Sequence, residues 1–499
     1  MSDITEAPVV PANDDEEILV QEWHKLHDAV DTGRDESGPF DMIPLAMMRG
    51  ATAKPSKVYT KPMKHLELDQ SIPPRGWYKG KVEPERVRPR PCYTEAILTS
   101  PYGGFCPVGC SFCYINNGSR GYRATGLPTV DVNYPEKFKK QLDQMMVAGA
   151  GYMTSFSEAF HPMEDTFHIT ERLTNVFVDA GLPIFYCSRK LPAEWAIEAM
   201  QVNPYSYMQW SINTSNRKDF RKLSPGAAGL DETMAYIKRF RELGIYVSIQ
   251  CNPINPGITS LDDLVELVWE LAESGANHII FKFVEQVANA RQVIIDRLIS
   301  RRFEGAKINA FDKLFNQVIG GVYTIQQDLR IEWLHELLYQ TREAGITMSL
   351  CYEYYEDGKA GANLAPYFTT SDQCHGRGVP IHYRPMAGEK FQPLPGCYRK
   401  GCLYCAEQGT RACRSSLLQM APAMEFTDLK STVLTGVESD WDLPESCARP
   451  EDEIDNINAN PGLKTDAELW GLPPLESLLV MPQKGPKDQV TDWEELFTA

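Results

Sequence analysis

The sequence predicts an α/β fold: an open (βα)6 partial TIM barrel with a Cys-rich C-terminal extension and acidic, loosely ordered ends. Two observations favour the barrel. Between residues 93 and 352, short apolar strand patterns alternate with helix patterns, which is typical of βα units around a parallel sheet. A Gly-containing cysteine loop, Cys106 to Cys113, follows the first predicted strand, and ligand sites of such sheets lie at the carboxyl ends of the strands.

Each unit is predicted from its own pattern. Apolar residues alternate from Ile245 to Cys251 as in a strand, and Ser260 with Asp263 resembles a capping box for a helix that stops at Gly275. The predicted strands are 96–99, 152–156, 183–188, 207–212, 245–251 and 279–283. The predicted helices are 134–147, 165–179, 193–200, 231–243 and 260–272. Two further helices, about 306–318 and 326–343, and a strand, 347–351, extend the sheet.

The composition of the 499 residues, 43% of them hydrophobic, predicts a soluble globular protein. No apolar stretch is long enough to span a bilayer, and the acidic start lacks the pattern of a secretory signal, so we expect no membrane association. Thirteen cysteines, an odd number clustered in triplets, favour metal ligation in a reducing compartment over disulfides. This predicts a cytoplasmic protein.

Charge divides the chain. Residues 1–40 carry 11 acids and 2 bases, and residues 421–499 carry 17 acids and 5 bases, which leaves a net +4 for residues 41–420. The acidic ends are typical of solvated segments, while the mildly basic middle suits an anionic substrate. The predicted domains are an acidic N-terminal segment (1–40), a Pro/Lys-rich extended arm (41–92), the barrel with its helical extension (93–352), a Cys-rich auxiliary metal segment (353–419) and an acidic tail (420–499).

The spacing C-x3-C-x2-C of Cys106, Cys110 and Cys113 indicates an iron–sulfur site. Three thiolates hold three irons of a [4Fe–4S] cube and leave the fourth iron open to a ligand. That incomplete ligation suits reductive cleavage of S-adenosylmethionine (SAM), whose amino and carboxylate groups chelate the open iron. A zinc site would more often show C-x2-C pairs and a clear fourth ligand.

A second cysteine group nearly repeats the first triplet in Cys397, Cys402 and Cys405, with Cys374 or Cys413 as the fourth ligand. A second [4Fe–4S] cluster is the first interpretation. Structural zinc and unligated cysteines remain as alternatives.

Several further segments resemble the radical SAM superfamily, and within it the spore photoproduct lyase-like branch. The resemblance covers roughly residues 95–285. It rests on the cysteine triplet and on segments at the ends of the predicted strands and in the loops between them: Ser155-Phe156-Ser157-Glu158-Ala159-Phe160-His161-Pro162-Met163-Glu164, Ile184-Phe185-Tyr186-Cys187-Ser188-Arg189-Lys190, Trp210-Ser211-Ile212-Asn213-Thr214, Arg221-Lys222-Leu223-Ser224-Pro225-Gly226-Ala227 and Asn252-Pro253-Ile254-Asn255-Pro256-Gly257-Ile258-Thr259.

The resemblance implies how SAM is held. Tyr114 would pack beside the adenine, and Ser157 and Glu158 would take the ammonium group. Lys190, or Arg189, would pair with the carboxylate.

The resemblance also implies that Ser211 and Asn213 reach the ribose hydroxyls. Cys187 and Cys251 are candidate catalytic residues, as radical relays, although each is more typical of a core cysteine. The partners implied are a flavodoxin or ferredoxin-type electron donor and, for this branch, DNA.

Two residues depart from the branch. Ser155 stands where spore photoproduct lyase has its hydrogen-donating cysteine, and Ser224 replaces an acid. We therefore expect a radical SAM enzyme of isomerase or lyase type that rearranges a modified pyrimidine in DNA. The alternatives are a peptide or small metabolite as substrate, lyase-like DNA repair, and a non-catalytic iron–sulfur or zinc protein that binds a partner.

Overall fold

The computed structural model describes the sheet region almost completely and the two ends sparsely. Its described residues are 54–59, 65–69, 96–104, 106–113, 128–154, 157–319, 322–351, 353–355, 362–371, 374–377, 379–380, 382–384, 386–393, 424–425, 463–465, 467–468, 471 and 473–475.

The secondary structure alternates as predicted through the middle of the chain. The strands of the described residues are β1 (Lys54–Tyr59), β2 (His65–Asp69), β3 (Ala96–Leu98), β4 (Tyr102–Gly104), β5 (Pro128–Val130), β6 (Met145–Ala148), β7 (Ala150–Met153), β8 (Ile184–Ser188), β9 (Tyr207–Ser211), β10 (Tyr246–Ile254), β11 (His278–Phe283), β12 (Glu285–Val287), β13 (Gln317–Ile319), β14 (Val322–Thr324), β15 (Thr347–Leu350), β16 (Tyr354–Tyr355), β17 (Ala362–Asn363), β18 (His382–Tyr383), β19 (Gln392–Pro393) and β20 (Met424–Glu425). The helices are α1 (Tyr134–Leu142), α2 (Glu164–Phe167), α3 (Ile169–Ala180), α4 (Glu194–Val202), α5 (Arg217–Leu223), α6 (Leu230–Glu242), α7 (Leu261–Ser274), α8 (Ala288–Ser300), α9 (Gly305–Leu314), α10 (Gln327–Glu343) and α11 (Ala365–Phe368).

The central sheet is parallel, which confirms the α/β class. Its seven strands lie in the order β15-β11-β10-β9-β8-β7-β3, and every neighbouring pair is parallel. Helices α3, α4, α6, α7 and α10 lie between successive strands in the chain, as βα units require. The carboxyl ends of all seven strands therefore meet at one edge of the sheet.

Helix α7 shows how sequence sets one of these units. The Ser260 hydroxyl accepts the Asp263 N–H and the Asp263 carboxylate accepts the Ser260 N–H, each at 3.1 Å, which is the predicted capping box. The helix ends at Gly275, whose φ of 93° is left-handed. Its buried stripe includes Leu264, Leu267 and Leu271, and each fully buried leucine contributes about 1.5–3 kcal/mol.

The face of the sheet opposite α7, here called the inner face, carries different side chains at the two ends of the strands. At the amino-terminal ends of the strands it carries stacked aromatics, with Phe185 4.6 Å from Tyr207 between ring centroids. The segment 374–377 packs there, because the Tyr207 hydroxyl lies 2.5 Å from Nδ1 of His375 and a Cβ on Gly376 would approach the His278 ring to 2.3 Å. This end of the inner face is filled, and the carboxyl end is where polar side chains collect.

The structure corrects three predicted elements. The predicted helix 165–179 is divided into α2 and α3 at His168, whose φ of 50° is left-handed. The helix predicted at about 306–318 ends at Leu314, because the residues after it form β13 and pair with β14.

The predicted helix 134–147 ends at Leu142, and β6 follows at once. Arg384 donates to the carbonyl oxygens of Leu142 and Met145, and β6 pairs with β18 and β20. Helix periodicity cannot reveal partners that lie more than 230 residues further along the chain.

The outer segments are described only in part. Within the predicted arm, β1 and β2 form an antiparallel pair, and β2 joins β5. Residues 1–40 lie outside the described residues, as does most of the tail beyond 420. In the described part of the chain, no helix has the length and apolar character needed to cross a membrane.

A buried charge network joins the ends of β11 and β15 to α10. Arg330 Nη1 donates to Glu353 at 2.7 Å, and both side chains are at most 2% exposed. Glu353 also accepts the Phe283 N–H at 2.6 Å and lies 3.5 Å from Lys282, which in turn contacts Glu285 at 2.5 Å. Burial lowers the pKa of Lys282, but the two carboxylates outweigh it and leave that pKa raised.

We predict that Glu353→Gln lowers the free energy of unfolding by about 3–5 kcal/mol, because it leaves the Arg330 charge buried without a counter-ion. Chemical denaturation of the purified protein measures this. The control is Glu194→Gln, which breaks an exposed pair with Arg239 and is expected to leave the denaturation midpoint nearly unchanged. Equal effects of the two substitutions would contradict the assignment.

Candidate functional site

The cysteine loop lies at the carboxyl edge of the sheet and is held there by backbone contacts with the segment after β9. The Ser111 N–H donates to the Leu223 carbonyl at 2.9 Å, and the Gly226 N–H donates to the Val108 carbonyl at 3.0 Å. A Cβ at Gly226 would come within 2.1 Å of the Pro107 carbonyl oxygen. Glycine at 226 is therefore what allows the two loops to approach each other.

Side chains from distant segments complete the support. Gln286 Nε2 donates to the Phe112 carbonyl and Arg301 Nη2 donates to the Gly109 carbonyl, both at 3.3 Å. The loop is thus fixed by α5, β12 and the end of α8 as well as by its own turns.

Arg189 connects this loop to three strands. It follows β8, its guanidinium donates to the carbonyls of Ser211 at 2.8 Å and Asn252 at 2.9 Å, and it lies 5.1 Å from the Phe112 ring centroid. Because both guanidinium contacts are made to backbone, Arg189 positions the site. This leaves Lys190 as the better of the two predicted partners for a carboxylate.

The three thiols of Cys106, Cys110 and Cys113 are free and partly buried. Burial, and then the Glu158 carboxylate, raises the pKa of Cys106 to about 12, and burial raises the pKa of Cys110 although Arg189 lowers it. Iron–sulfur ligands bind as thiolates, so bound iron would favour the deprotonated form that burial opposes here.

Among the residues that the structure describes, no group of three or more His, Cys, Asp or Glu side chains could hold a metal ion. A cube differs from a single ion because each cysteine binds a separate iron, so its ligands stand further apart. Ser224, the departure from the branch pattern, donates its hydroxyl to Cys110 Sγ at 3.3 Å. The chemistry of the set, three thiols with a hydroxyl donor, fits the predicted cluster.

Glu158 is buried, and its oxygens are already used by the protein. Oε1 accepts the Phe160 N–H at 3.1 Å and the Ser188 hydroxyl at 2.5 Å, while Oε2 accepts the Arg189 N–H at 3.1 Å. Burial raises the pKa of Glu158, an effect that these hydrogen bonds and the Lys190 charge oppose. In this arrangement Glu158 joins the loop after β7 to the end of β8.

Two other predicted residues offer unused polar atoms. Within the described part of the chain, the buried Ser157 Oγ and Asn213 Oδ1 have no hydrogen-bond partner. Asn213 Nδ2 donates to the Pro253 carbonyl at 3.3 Å, which fixes the direction of its amide. Buried polar atoms without partners are costly in a folded protein, so atoms of this kind at a strand edge favour a ligand.

The structure distinguishes the two candidate relay cysteines. Cys187 is partly buried, with its thiol 3.2 Å from Gln250 Oε1 and 3.7 Å from the Ser211 hydroxyl. Cys251 is 0% exposed and belongs to the apolar core on the helix side of the sheet. Burial raises the pKa of both thiols. Of the two, Cys187 has the polar surroundings of the inner face.

Several predicted site residues lie outside the described residues: Tyr114, Ser155, Cys397, Cys402, Cys405 and Cys413. Cys374 is described. It is 5% exposed, and its carbonyl accepts the Ser349 hydroxyl at 2.6 Å, which places it near the amino-terminal ends of the strands. The second metal site stays a prediction.

Sequence reasoning missed the supports of the cysteine loop. Gln286 and Arg301 carry no motif, and their partners in the loop lie more than 170 residues away in the chain. Gln250, which contacts Cys187 instead, carries no motif either. Gly226 belongs to one of the segments that resemble the radical SAM superfamily, and a glycine directly after Ser224-Pro225 was the one available signal of a close backbone approach.

Comparison with known proteins supports the radical SAM resemblance. A protein of Pseudomonas phage M6, named radical SAM Nalpha-GlyT isomerase, is 41% identical over 413 residues, which cover 79% of this chain and 85% of that protein. No family model matches the chain.

Two solved structures align with part of the chain. Spore photoproduct lyase complexed with dinucleoside spore photoproduct aligns with a TM-score of 0.40 and 16% identity, over 51% of this chain and 76% of that chain. SuiB of Streptococcus suis bound to precursor peptide SuiA aligns with a TM-score of 0.33 and 13% identity, over 52% and 48%. With both TM-scores below 0.5, family membership rests on the phage protein.

We predict that Gly226→Ala lowers the iron bound after anaerobic reconstitution by at least about half, because the added methyl group displaces the cysteine loop from the Pro107 carbonyl. Iron analysis and the absorbance of the cluster measure this. Gly305→Ala is the matched control, since a Cβ at this first residue of α9 would meet nothing within 4 Å. Full iron loading of Gly226→Ala would contradict the prediction.

Proposed function

The chain belongs to the radical SAM family, and from this premise we propose that it isomerises a thymine-type pyrimidine in DNA that carries a glycine through its α-nitrogen. The 41% identity to the phage isomerase over most of both chains supports isomerase-type chemistry. The identity of the substrate is our proposal. The observation that carries it is that identity, together with a cysteine loop fixed at the carboxyl edge of the sheet.

A bound [4Fe–4S] cluster and SAM supply a 5′-deoxyadenosyl radical that abstracts hydrogen from an unactivated C–H bond, which no side chain can do. Cys106, Cys110 and Cys113 would hold the cluster. Ser157 and Lys190 would bind the amino acid part of SAM. Ser157 offers an unused buried oxygen, and the charge of Lys190 acts on Glu158, the residue after Ser157.

The residues with the remaining proposed roles are assigned to the same carboxyl edge of the sheet. Asn213 offers its unused Oδ1 to a ribose hydroxyl, and Ser211 lies next to the Cys187 thiol. Tyr114 is proposed to pack against the adenine. Glu158 and Arg189 hold these groups in place through the contacts described above.

The substrate proposal rests on charge and chemistry. Residues 41–420 carry a net +4, which suits a polyanion, and a base in a duplex must leave the stack to reach a radical at a strand edge. The named relative supplies the substituent, a glycine on its α-nitrogen. A base-linked amino acid also agrees with the absence of a cysteine at Ser155, because rearrangement does not require that residue to end the reaction.

An isomerisation leaves atoms and electrons unchanged, so a hydrogen atom removed from the substrate must be replaced in the product. We assign this relay to Cys187, a partly buried residue whose thiol lies on the inner face and is hydrogen-bonded to Gln250. In each turnover 5′-deoxyadenosine keeps the hydrogen atom taken from the substrate, and the Cys187 thiol gives one hydrogen atom to the product radical. The thiyl radical that remains is restored to the thiol by one electron from the flavodoxin or ferredoxin-type donor and one proton from solvent. Cys251 is unsuited because it is enclosed by apolar side chains on the other face.

A second [4Fe–4S] cluster on Cys397, Cys402 and Cys405, with Cys374 or Cys413, is proposed as an auxiliary site. Zinc is the alternative metal.

The function is tested with an oligonucleotide whose modified thymine is deuterated in its glycine substituent. We expect a product that has the same elemental composition as the substrate but a different chromatographic retention. Deuterium from the glycine substituent should enter 5′-deoxyadenosine. Replacing Cys106, Cys110 and Cys113 by Ala should abolish SAM cleavage. Splitting of thymine-dimer DNA, or deuterium transfer only from a peptide or free metabolite, would contradict the substrate assignment.

The relay is tested by running the reaction in heavy water, because thiol hydrogens exchange with solvent and C–H hydrogens do not. We expect solvent deuterium in the wild-type product and its loss, with at least about tenfold slower isomerisation, in Cys187→Ala. Cys251→Ala is the matched control and should keep the label. Solvent deuterium in the Cys187→Ala product would refute the relay.

A further inference from the structure

A surface pocket opens directly beside the cysteine loop. It has a volume of about 380 Å³ and is lined by Gly109, Cys110, Arg297, Ser300 and Arg301. The pocket thus reaches from solvent to one of the three proposed cluster ligands, on the side supported by α8. Apart from Cys110, its lining residues have no part in the proposed binding of SAM or substrate.

The rim of the pocket is basic in a chain whose net charge is −17. Three arginines fall within six residues, at 297, 301 and 302, and Lys222 joins them by donating to the Arg302 carbonyl at 2.8 Å. The acids on the same stretch are Asp296 and Glu304, both exposed. The arginines and lysine outnumber the two acids.

The position of the pocket distinguishes it from a simple anion site. Cys110, a proposed cluster ligand, lines the pocket together with Arg297 and Arg301. An electron carrier must approach the cluster closely, whereas contacts with phosphate need only the charge. The position therefore favours an electron-carrying protein over the DNA backbone.

We propose that this surface, Arg297 to Arg302 with Lys222, docks an acidic one-electron carrier protein of the flavodoxin or ferredoxin type. The inference rests on the proposed function and names a partner of its cluster. One electron passes from the reduced carrier, which is oxidised by one electron, to the cluster that Cys110 helps to hold. Charge complementarity steers the encounter, and the pocket brings the carrier against the ligand loop.

The test changes the charge at Ser300, a pocket-lining residue whose side chain does not hold the cysteine loop in the described structure. Ser300 is exposed, and its hydroxyl donates only to the Arg297 carbonyl. The variants are Ser300→Glu, Ser300→Lys and Ser300→Ala. Gln201→Glu, an exposed substitution at the far end of α4, is the matched control for added charge. Formation of 5′-deoxyadenosine is measured with an acidic flavodoxin as donor and, separately, with dithionite.

With flavodoxin we expect Ser300→Glu to raise the KM for the donor about three- to tenfold and to weaken its salt dependence, and Ser300→Lys to lower that KM. Ser300→Ala and Gln201→Glu should match the wild type, and dithionite should drive all variants equally. An unchanged flavodoxin KM in Ser300→Glu and Ser300→Lys would overturn the docking surface. Loss of DNA affinity with an unchanged donor KM would assign the surface to nucleic acid instead. Failure with dithionite in the wild type would contradict the proposed function rather than the surface.

Discussion

The site depends on the guanidinium of Arg189. It donates to the ends of β9 and β10 and lies over Phe112 of the cysteine loop, while its own backbone N–H binds Glu158 from the β7 loop. One residue therefore joins four segments at the carboxyl edge of the sheet. Arginine suits this position because its planar fork reaches two carbonyls and an aromatic ring together, which an ammonium group cannot do.

The two ends of the inner face carry different kinds of side chain. At the amino-terminal end, rings and the segment 374–377 fill the inner face, and burial lowers the pKa of His278 to about 3, so that this histidine is neutral at physiological pH. At the carboxyl end, Ser157 Oγ and Asn213 Oδ1 are left without hydrogen-bond partners. The carboxyl end therefore keeps unsatisfied polar groups of the kind that ligand binding uses.

The sequence predicted the parts of the fold that depend on local chemistry. The strands appear close to their predicted bounds, and the α7 capping box is observed, because periodicity and caps act within a few residues. The helix predicted to continue to residue 147 failed because Arg384 and two later strands bind that segment. The described residues of the candidate site lie at the carboxyl edge, as expected, and their roles stay predictions. The sequence could not indicate the contacts of Glu158 and Arg189, because their partners lie more than twenty residues away in the chain.

Radical chemistry explains why the positions of the two candidate cysteines matter. A carbon radical takes hydrogen from any suitable donor within reach, so the groups near it must be fixed and few. Cys187 is held by Gln250 at the inner face, whereas Cys251, the next residue along β10 from Gln250, packs into the apolar core on the other face. Alternation along β10 thus places Gln250, the partner of Cys187, on one face of the sheet and Cys251 on the other. For the relay proposed at Cys187, this separation keeps the Cys251 thiol in the apolar core and away from the same radical.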